Sequence, residues 1–383
     1  MIDAIDTAIA SDARALSSEL RTLRMRFFPP GAEKVLRKFT SGEAAKLLGV
    51  SDGYLRQIAL AGEGPTTEVT PTGRRLYALS DIHALRDHLG RSPRRKPGEH
   101  LQVVAVANFK GGSGKTTTTA HLAQYLALQG YRVLAIDLDP QASLTSLLGL
   151  QPEFDVGPGE SLYGAIRYEE PLPLRDVIRK TYFAGLDLIP GQLELMEFEH
   201  DTPRALLRQP GIPFYARFAQ ALSTVEADYD VVVADCPPQL GFLTLSALSA
   251  ASGLIVTVHP AMLDVASMSQ FLQMMSDLMA VVRNAGGRAR FDFLRYLITR
   301  FEPHDGPQAQ MAGFLRTIFQ DRVLAATMLK TTVVSDAGLT KQTAYEIART
   351  DVHRQSYDRA LESLDAVNYE VVDLIRSAWG RPS

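Results

Sequence analysis

The stretch Asn108-Phe109-Lys110-Gly111-Gly112-Ser113-Gly114-Lys115-Thr116-Thr117 constrains this chain more than any other part of it. A short apolar run, Val103 to Ala107, precedes it and reads as a buried parallel strand. Thr118 to Gln129 follows as a helix, with Leu122, Ala123, Leu126 and Leu128 apolar. The glycines therefore occupy a strand-to-helix turn. There they let the backbone curl until its N–H groups converge, and the helix adds its positive end. Such a turn cradles phosphates: Lys115 reaches the β- and γ-phosphates, and the Thr116 hydroxyl holds Mg²⁺.

The pattern departs from G-x-x-x-x-G-K-[ST], because Phe109 stands where the first glycine belongs and Lys110 precedes the glycine pair. In this form, K-G-G-x-G-K-T-T, the loop resembles the deviant phosphate loop of the ParA/MinD ATPases. The resemblance implies ATP/ADP and Mg²⁺ as ligands, with residues 110–117 binding the nucleotide. It also implies that Lys110 crosses to the nucleotide of a second subunit in a homodimer.

From Leu101 onward apolar strands alternate with helices, which predicts a doubly wound, mostly parallel α/β domain over 101–383. The strands are expected at Val103–Ala107, Arg132–Asp137, Leu186–Ile189, Val231–Asp235, Gly253–Val258 and Phe293–Thr299. In such sheets ligands bind at the carboxyl ends of the strands, and the acidic motifs fall there. Arg132 to Gln141 ends in Asp137-Leu138-Asp139-Pro140-Gln141, two acids that alternation puts on one side while the strand persists. The resemblance gives Asp139 the attacking water and Asp137 the outer shell of the metal. Val231 to Ala234 deliver Asp235 to the edge of the site, where an acid can hold a water on Mg²⁺. Cys236 beside it reads as buried filler. His259, in the loop after the Gly253–Val258 strand, reads as structural, and Thr299 to Pro303 as a loop near an adenine ring.

Upstream, residues 1–35 carry Ile2, Ile5, Ile9, Leu16, Leu20 and Leu23 at spacings of three, four and seven, with Pro29-Pro30-Gly31 as the stop. This is a helix that either packs on its own chain or pairs with a second copy. Residues 36–90 form a second unit. A helix capped near Thr40 or Ser41 packs Ala44, Ala45 and Leu48; Gly49 turns; Ser51 caps a second helix that packs Leu55 and Ile58. Thr66 to Leu79 alternates around Pro71-Thr72-Gly73 as a two-stranded wing, and a third helix follows from Asp81 to Leu89. The segment resembles the winged helix-turn-helix of MerR-like regulators and of the longer ParA proteins. Ser51, Tyr54, Arg56 and Gln57 on the second helix, with Arg74 and Arg75 on the wing, are the expected DNA contacts. A bare helical hairpin is the competing reading. Charge favours DNA: residues 36–100 hold eleven Lys and Arg against seven Asp and Glu, in a chain of net charge −3. Residues 91–100, Pro-rich and basic, read as a solvated linker.

Other classes are excluded by composition. One cysteine in 383 residues cannot form an internal disulfide or ligate a cluster, which removes relatives of the nitrogenase iron protein. No apolar run reaches the ~20 residues of a membrane span, and Glu370 and Asp373 balance Arg376 and Arg381 on the last helix, so core packing is expected there rather than a membrane anchor. The N-terminus lacks the features of a secretory signal, which points to the cytoplasm, on the nucleoid. The stretch Leu329 to Thr340, with Tyr345-Glu346 after it, resembles the C-terminal region of plasmid ParA proteins, notably the RepA branch of repABC cassettes. The implied function is a DNA-partition ATPase. It would bind nonspecific DNA in the ATP state, be stimulated by a ParB-like centromere-binding protein, and repress its own operator through the winged unit. Arg283, Arg288, Arg290, Arg316 and Arg349 are candidates for the nonspecific contacts. The alternative is an ATP-responsive repressor with no segregation role.

Overall fold

The computed structural model describes residues 5–27, 34–208, 211–287, 290–339 and 341–382, without the side chains of 20, 21, 23–27 and 339. Ile2, Leu20 and Leu23 of the heptad-like seam, the Pro29-Pro30-Gly31 stop, Arg288 and Thr340 lie outside the described residues or side chains. The chain divides into Met1–Val35 and Leu36–Ser383. In the first unit α1 (Ile5–Phe27) presents Ile5, Ile9 and Leu16 as exposed side chains.

The second unit opens with β1 (Phe39–Thr40), α2 (Ser41–Leu48), α3 (Asp52–Ala61), β2 (Glu68–Val69), β3 (Arg75–Tyr77) and α4 (Leu79–His88). Thr40 starts α2 through a capping box with Glu43, and Gly49, at φ +66°, ends it in the left-handed conformation that glycine adopts without strain. Ser51 caps α3 by accepting from the Tyr54 amide. Strands β1 and β2 flank β3, both antiparallel to it. The strand β1 was not expected from the sequence, because two residues show no period.

The larger part follows as β4 (Gln102–Ala107), α5 (Lys115–Gln129), β5 (Val133–Asp137), α6 (Ser143–Leu147), α7 (Pro152–Asp155), α8 (Leu162–Ile166), β6 (Arg179–Lys180), β7 (Leu186–Ile189), α9 (Leu195–Arg208), α10 (Phe214–Ser223), β8 (Val231–Asp235), α11 (Phe242–Ala250), β9 (Gly253–Val258), α12 (Met262–Asn284), β10 (Phe293–Ile298), α13 (Gly306–Phe319), α14 (Thr332–Leu339) and α15 (Arg354–Ala378). The seven-stranded sheet runs β10-β9-β4-β8-β5-β7-β6, and every pair but β6–β7 is parallel. Each central strand is buried along its whole length, as a sheet covered on both faces requires. The period of two divides their side chains. Val104, Val106, Val133 and Val231 face the core that contains α5 and α15. Val103, Ala105, Leu134 and Val232 face the core that contains α9 to α12.

The first of these cores continues without a break into the winged segment through Leu79, Ile82 and Leu85. His83 Nε2 meets the Ala127 carbonyl at 2.8 Å, and Arg86 donates to the carbonyls of Leu47 and Leu128 at 2.7 and 3.1 Å. Residues 91–100 are no solvated tether. Arg95 donates its amide to Asp230 and its guanidinium to Glu226 and the Glu99 carbonyl, while Arg91 holds the carbonyls of Leu48 and Gly49. The last helix, α15, buries Val371, Val372 and Ile375 in the core, as its balanced charges lead one to expect. No described helix is long and apolar enough to cross a membrane.

Candidate functional site

Strand order brings the motifs together. The glycine-rich turn leaves β4, Asp235 ends the adjacent β8, and Asp137 ends β5 beyond it, paired in register with Asp235. All three lie at the carboxyl edge of the sheet.

The turn is held by Asn108 at the end of β4 and by residues at the ends of β9 and β10. Asn108 Nδ2 donates to the Thr257 carbonyl at 2.5 Å, and Asn108 Oδ1 accepts the Lys110 amide at 3.1 Å. Thr257 and Ser113 hydroxyls meet at 3.1 Å; Thr299 Oγ1 donates to the Ser113 carbonyl at 2.8 Å, and Arg300 to that of Gly112 at 3.0 Å. Gly114 begins α5 at φ +86°, and a Cβ there would come within 3.3 Å of Thr299, so glycine is required twice over. Thr257 is a site residue that motif reading missed, and the parts of Asn108, Thr299 and Arg300 in bracing the turn were not foreseen. The available signal was their position: all four stand at strand ends on the ligand edge.

Lys115 is buried and donates to the Lys110 carbonyl at 3.2 Å. Burial holds its pKa below that of an ordinary lysine, with Asp235 and Asp139 opposing the shift. Asp235 is fully buried, and neither carboxylate oxygen has a hydrogen-bond partner. Its pKa is pushed well up, first by desolvation and then by the Asp137 charge, against the Thr116 hydroxyl, which lies near without well-formed hydrogen-bond geometry, and the Lys115 charge. A buried carboxylate without partners costs free energy unless a cation or donor arrives. Asp137 differs. It is equally buried, but Oδ2 accepts from the Thr145 amide and hydroxyl at 2.8 and 2.7 Å, and Oδ1 from the Asp139 amide. Burial raises its pKa to about 6 against those bonds. The strand ends at Asp137, so alternation does not extend to Asp139, whose Oδ1 instead accepts the Gln141 amide at 3.0 Å. Asp139 still lines the cavity above the turn.

That cavity, about 650 Å³, is bounded by Gly111, Gly112 and Gly114 to Thr117, by Asp139, Gln141 and Pro238, by Thr299 and Arg300, and by Met328 to Thr331 with Val334 and Ser335. The Met328–Lys330 segment is hydrogen-bonded along Ile298 to Phe301, which places it over the edge of the sheet. A larger hollow of about 900 Å³ beside α8 and α9 contains none of the motif residues. The chemistry favours the smaller one, where amides, a lysine and two acids converge.

The donor set fits nucleotide and metal. The unpartnered oxygens of Asp235 and the Thr116 hydroxyl are hard oxygen donors of the kind Mg²⁺ takes while keeping most of its water. No cluster of three His, Cys, Asp or Glu side chains that could cage an ion occurs among the described residues. Lys110 points elsewhere: its Nζ pairs with Asp264 at the start of α12, 2.8 Å away. Cys236 is buried, with its thiol pKa pushed up to about 12 by desolvation, as filler would be. The His259 Nδ1 is buried without a partner.

Of the expected DNA contacts, Tyr54, Arg56 and Gln57 are exposed on α3, and Arg56 pairs with Asp52 at 3.3 Å. Ser51 is exposed, with its hydroxyl engaged as the cap. Arg74 is exposed near the tip of the β2–β3 turn, and Arg75 donates to Thr67. Among the nonspecific candidates, Arg349 pairs with Asp358 and Arg316 donates to the Ala325 carbonyl.

Residues 101–285 match the family model described as AAA domain. "Putative replication protein A" of Rhizobium rhizogenes is 58% identical over 382 residues, covering 97% of this chain and 95% of that one. "Protein SopA" of Escherichia coli (strain K12) is 31% identical, covering 91% and 92%. "Chromosome partitioning protein ParA" of Caulobacter vibrioides is 31% identical, covering 62% and 84%. A solved "Partition Protein" superposes with a TM-score of 0.70 at 19% identity over 97% of this chain and 98% of its own, which bears on the fold. A Mycobacterium smegmatis structure named cobyrinic acid a,c-diamide synthase, with bound ATP analog and magnesium, gives a TM-score of 0.51 at 30% identity, covering 68% and 95%. The chain belongs to the ParA family of P-loop partition ATPases, together with the replication protein A and SopA proteins.

Proposed function

We propose that this protein is a partition ATPase that binds ATP·Mg²⁺ between two copies of itself. In that state it grips DNA without regard to sequence, and it hydrolyses ATP when a ParB-like centromere-binding protein engages it. The observation that carries the reading is a buried Asp235 carboxylate with no well-formed hydrogen bond, close enough to Lys115 beneath the glycine-rich turn to raise its pKa. In this reading the turn and Lys115 bind the phosphates, while Thr116 and Asp235 hold the metal. Bound Mg²⁺ supplies charge neutralisation for phosphoryl transfer. Asp137, fixed by Thr145, braces the Asp235 side of the site. Asp139 orients water. Lys110 exchanges Asp264 for the phosphates of the partner copy, so pairing completes each site. The Met328–Ser335 segment and Thr299–Arg300 wall the base end. The winged unit reads an operator through α3, and ordering by ATP followed by release is a switch of the phosphate-sensing kind. The domain limits are 1–35 for pairing, 36–90 for DNA, 91–100 for the connection and 101–383 for the ATPase.

The test is phosphate release by the full chain alone, with nonspecific DNA, and with DNA plus a ParB-like centromere-binding protein. Slow turnover that rises only with both supports the reading. Nucleotide-dependent operator binding with no stimulated turnover favours the repressor. Asp139→Ala should bind ATP, lose turnover and stay on DNA; wild-type release by that variant removes its role.

A further inference from the structure

A hollow of about 590 Å³ lies where the connecting segment, the end of α4, the C-terminus of α5 and the last turns of α15 meet. None of residues 110–117 lines it. Five cations do: Arg86, Arg91, Lys96, Arg376 and Arg381. Their partners are unusual. Arg86 is 7% exposed and rests on the Leu47 and Leu128 carbonyls, with its Nε buried and unpartnered. Arg91 rests on the Leu48 and Gly49 carbonyls, and Arg376 on that of Pro382. Lys96 forms no ion pair among the described residues, and no described carboxylate lines the hollow. Of the acids nearby, Glu99 pairs with Arg381, which leaves the other four lining cations without a carboxylate, while Asp87 pairs with Arg94 and Asp230 with Arg132.

Neutral carbonyls orient a guanidinium without neutralising it; those at a helix C-terminus carry only about half a charge in total. The result is four guanidinium groups and an ammonium around one concave surface, with Glu99 the one carboxylate paired to any of them. Burial depresses the Arg86 pKa, with Tyr131 and Asp87 opposing the shift. Planar guanidinium forks suit a multiply charged oxyanion better than a single carboxylate. Tyr125, Tyr131 and Tyr369 complete the wall with hydroxyl donors and flat rings; Tyr369 is 60% exposed.

We infer that this hollow is a second phosphate-ester site, separate from the glycine-rich turn, which takes the phosphates of a DNA backbone or of a free nucleotide. Because its walls come from the winged segment, the connector and α15, an anion seated there clamps the three together.

The test uses apo full-length protein without magnesium, so it does not depend on the ATPase reading. Lys96→Gln/Arg376→Gln is measured for affinity to a short mixed-sequence duplex across a salt series. Pyrophosphate is titrated into Lys115→Ala, with and without the double substitution, so the primary phosphate loop is silent. If DNA is the ligand, the double variant binds duplex about tenfold more weakly and its log–log salt slope falls by about 2. If a free nucleotide is, Lys115→Ala still takes up pyrophosphate and loses it with the double substitution. Unchanged duplex binding together with no pyrophosphate uptake overturns the site. Should the double variant melt early, Lys96→Gln alone, on an exposed residue, is read in both assays. There a slope change of about 1, or lost pyrophosphate uptake, sustains the site and the absence of both rejects it.

Discussion

The two ends of α5 are built differently. At its C-terminus the carbonyls of Leu126, Ala127 and Leu128 all find donors. Gly130 and Tyr131 amides return to Ala127 and Leu126, His83 takes Ala127, and Arg86 takes Leu128. At its N-terminus no side chain caps the helix, Lys115 has a single carbonyl, and Asp235 has no well-formed hydrogen bond, with only the Thr116 hydroxyl and the Lys115 charge nearby to favour its ionised form. One end is fastened to the winged segment. The other leaves desolvated charge waiting. Native interiors seldom leave a carboxylate unpaired, so a desolvated acid beside a phosphate-type turn is where a cation or donor from a ligand belongs. The middle of the helix belongs with the fastened end. His121 donates to Thr117 and accepts from the Ala344 amide, while Gln124 bonds Thr343 and Glu346.

Substitutions can break this contrast. Lys115→Ala should cost ATP binding about 3 kcal/mol or more, at least a hundredfold, in a calorimetric titration. Retained affinity would mean that the open end is not the nucleotide end. The middle of α5 makes a pH prediction. Desolvation lowers the His121 pKa from 6.5 to about 4, so the folded protein excludes a proton that the unfolded chain takes up. Stability is therefore complete above pH 6.5 and falls as the pH drops toward 4, by about 3 kcal/mol. Urea melts at pH 7 and 4.5 should show this fall, and His121→Gln should flatten it; an equal slope in both proteins would exclude a buried neutral imidazole.

Arg86→Met tests the fastened end. It strands the Leu47 and Leu128 carbonyls and should cost about 2 kcal/mol in chemical denaturation, while ATP affinity stays within twofold. A large loss of ATP binding would show that the two ends are not independent. Arg56→Ala should have the smallest effect, about tenfold on operator binding with ATP binding unaltered, because the side chain is exposed and its one ion pair is to Asp52. Unchanged footprints would remove α3 from DNA recognition.

What the sequence could show follows from how local each signal is. The glycine-rich turn, the acids at 137, 139 and 235, and the buried strands are short patterns with their own spacing, and they are legible. The strands β1 and β6 have two residues each and no pattern to read. The connector looked solvated because its partners are remote: Arg95 meets Asp230 and Glu226 across more than a hundred positions of chain. Asp264 opposite Lys110, and Thr299 and Arg300 on the turn, are joined only by strand order. Asp139 was misplaced in detail because β5 stops two residues earlier.

The bonds from α4 to α5 leave the winged segment no hinge of its own. If two copies close face to face on nucleotide, their α3 helices travel with them as fixed outriggers. The distance between the paired half-sites on DNA then becomes a ruler for the closed state. Operators with altered spacing would report, base pair by base pair, how far the two bodies swing when ATP is cleaved.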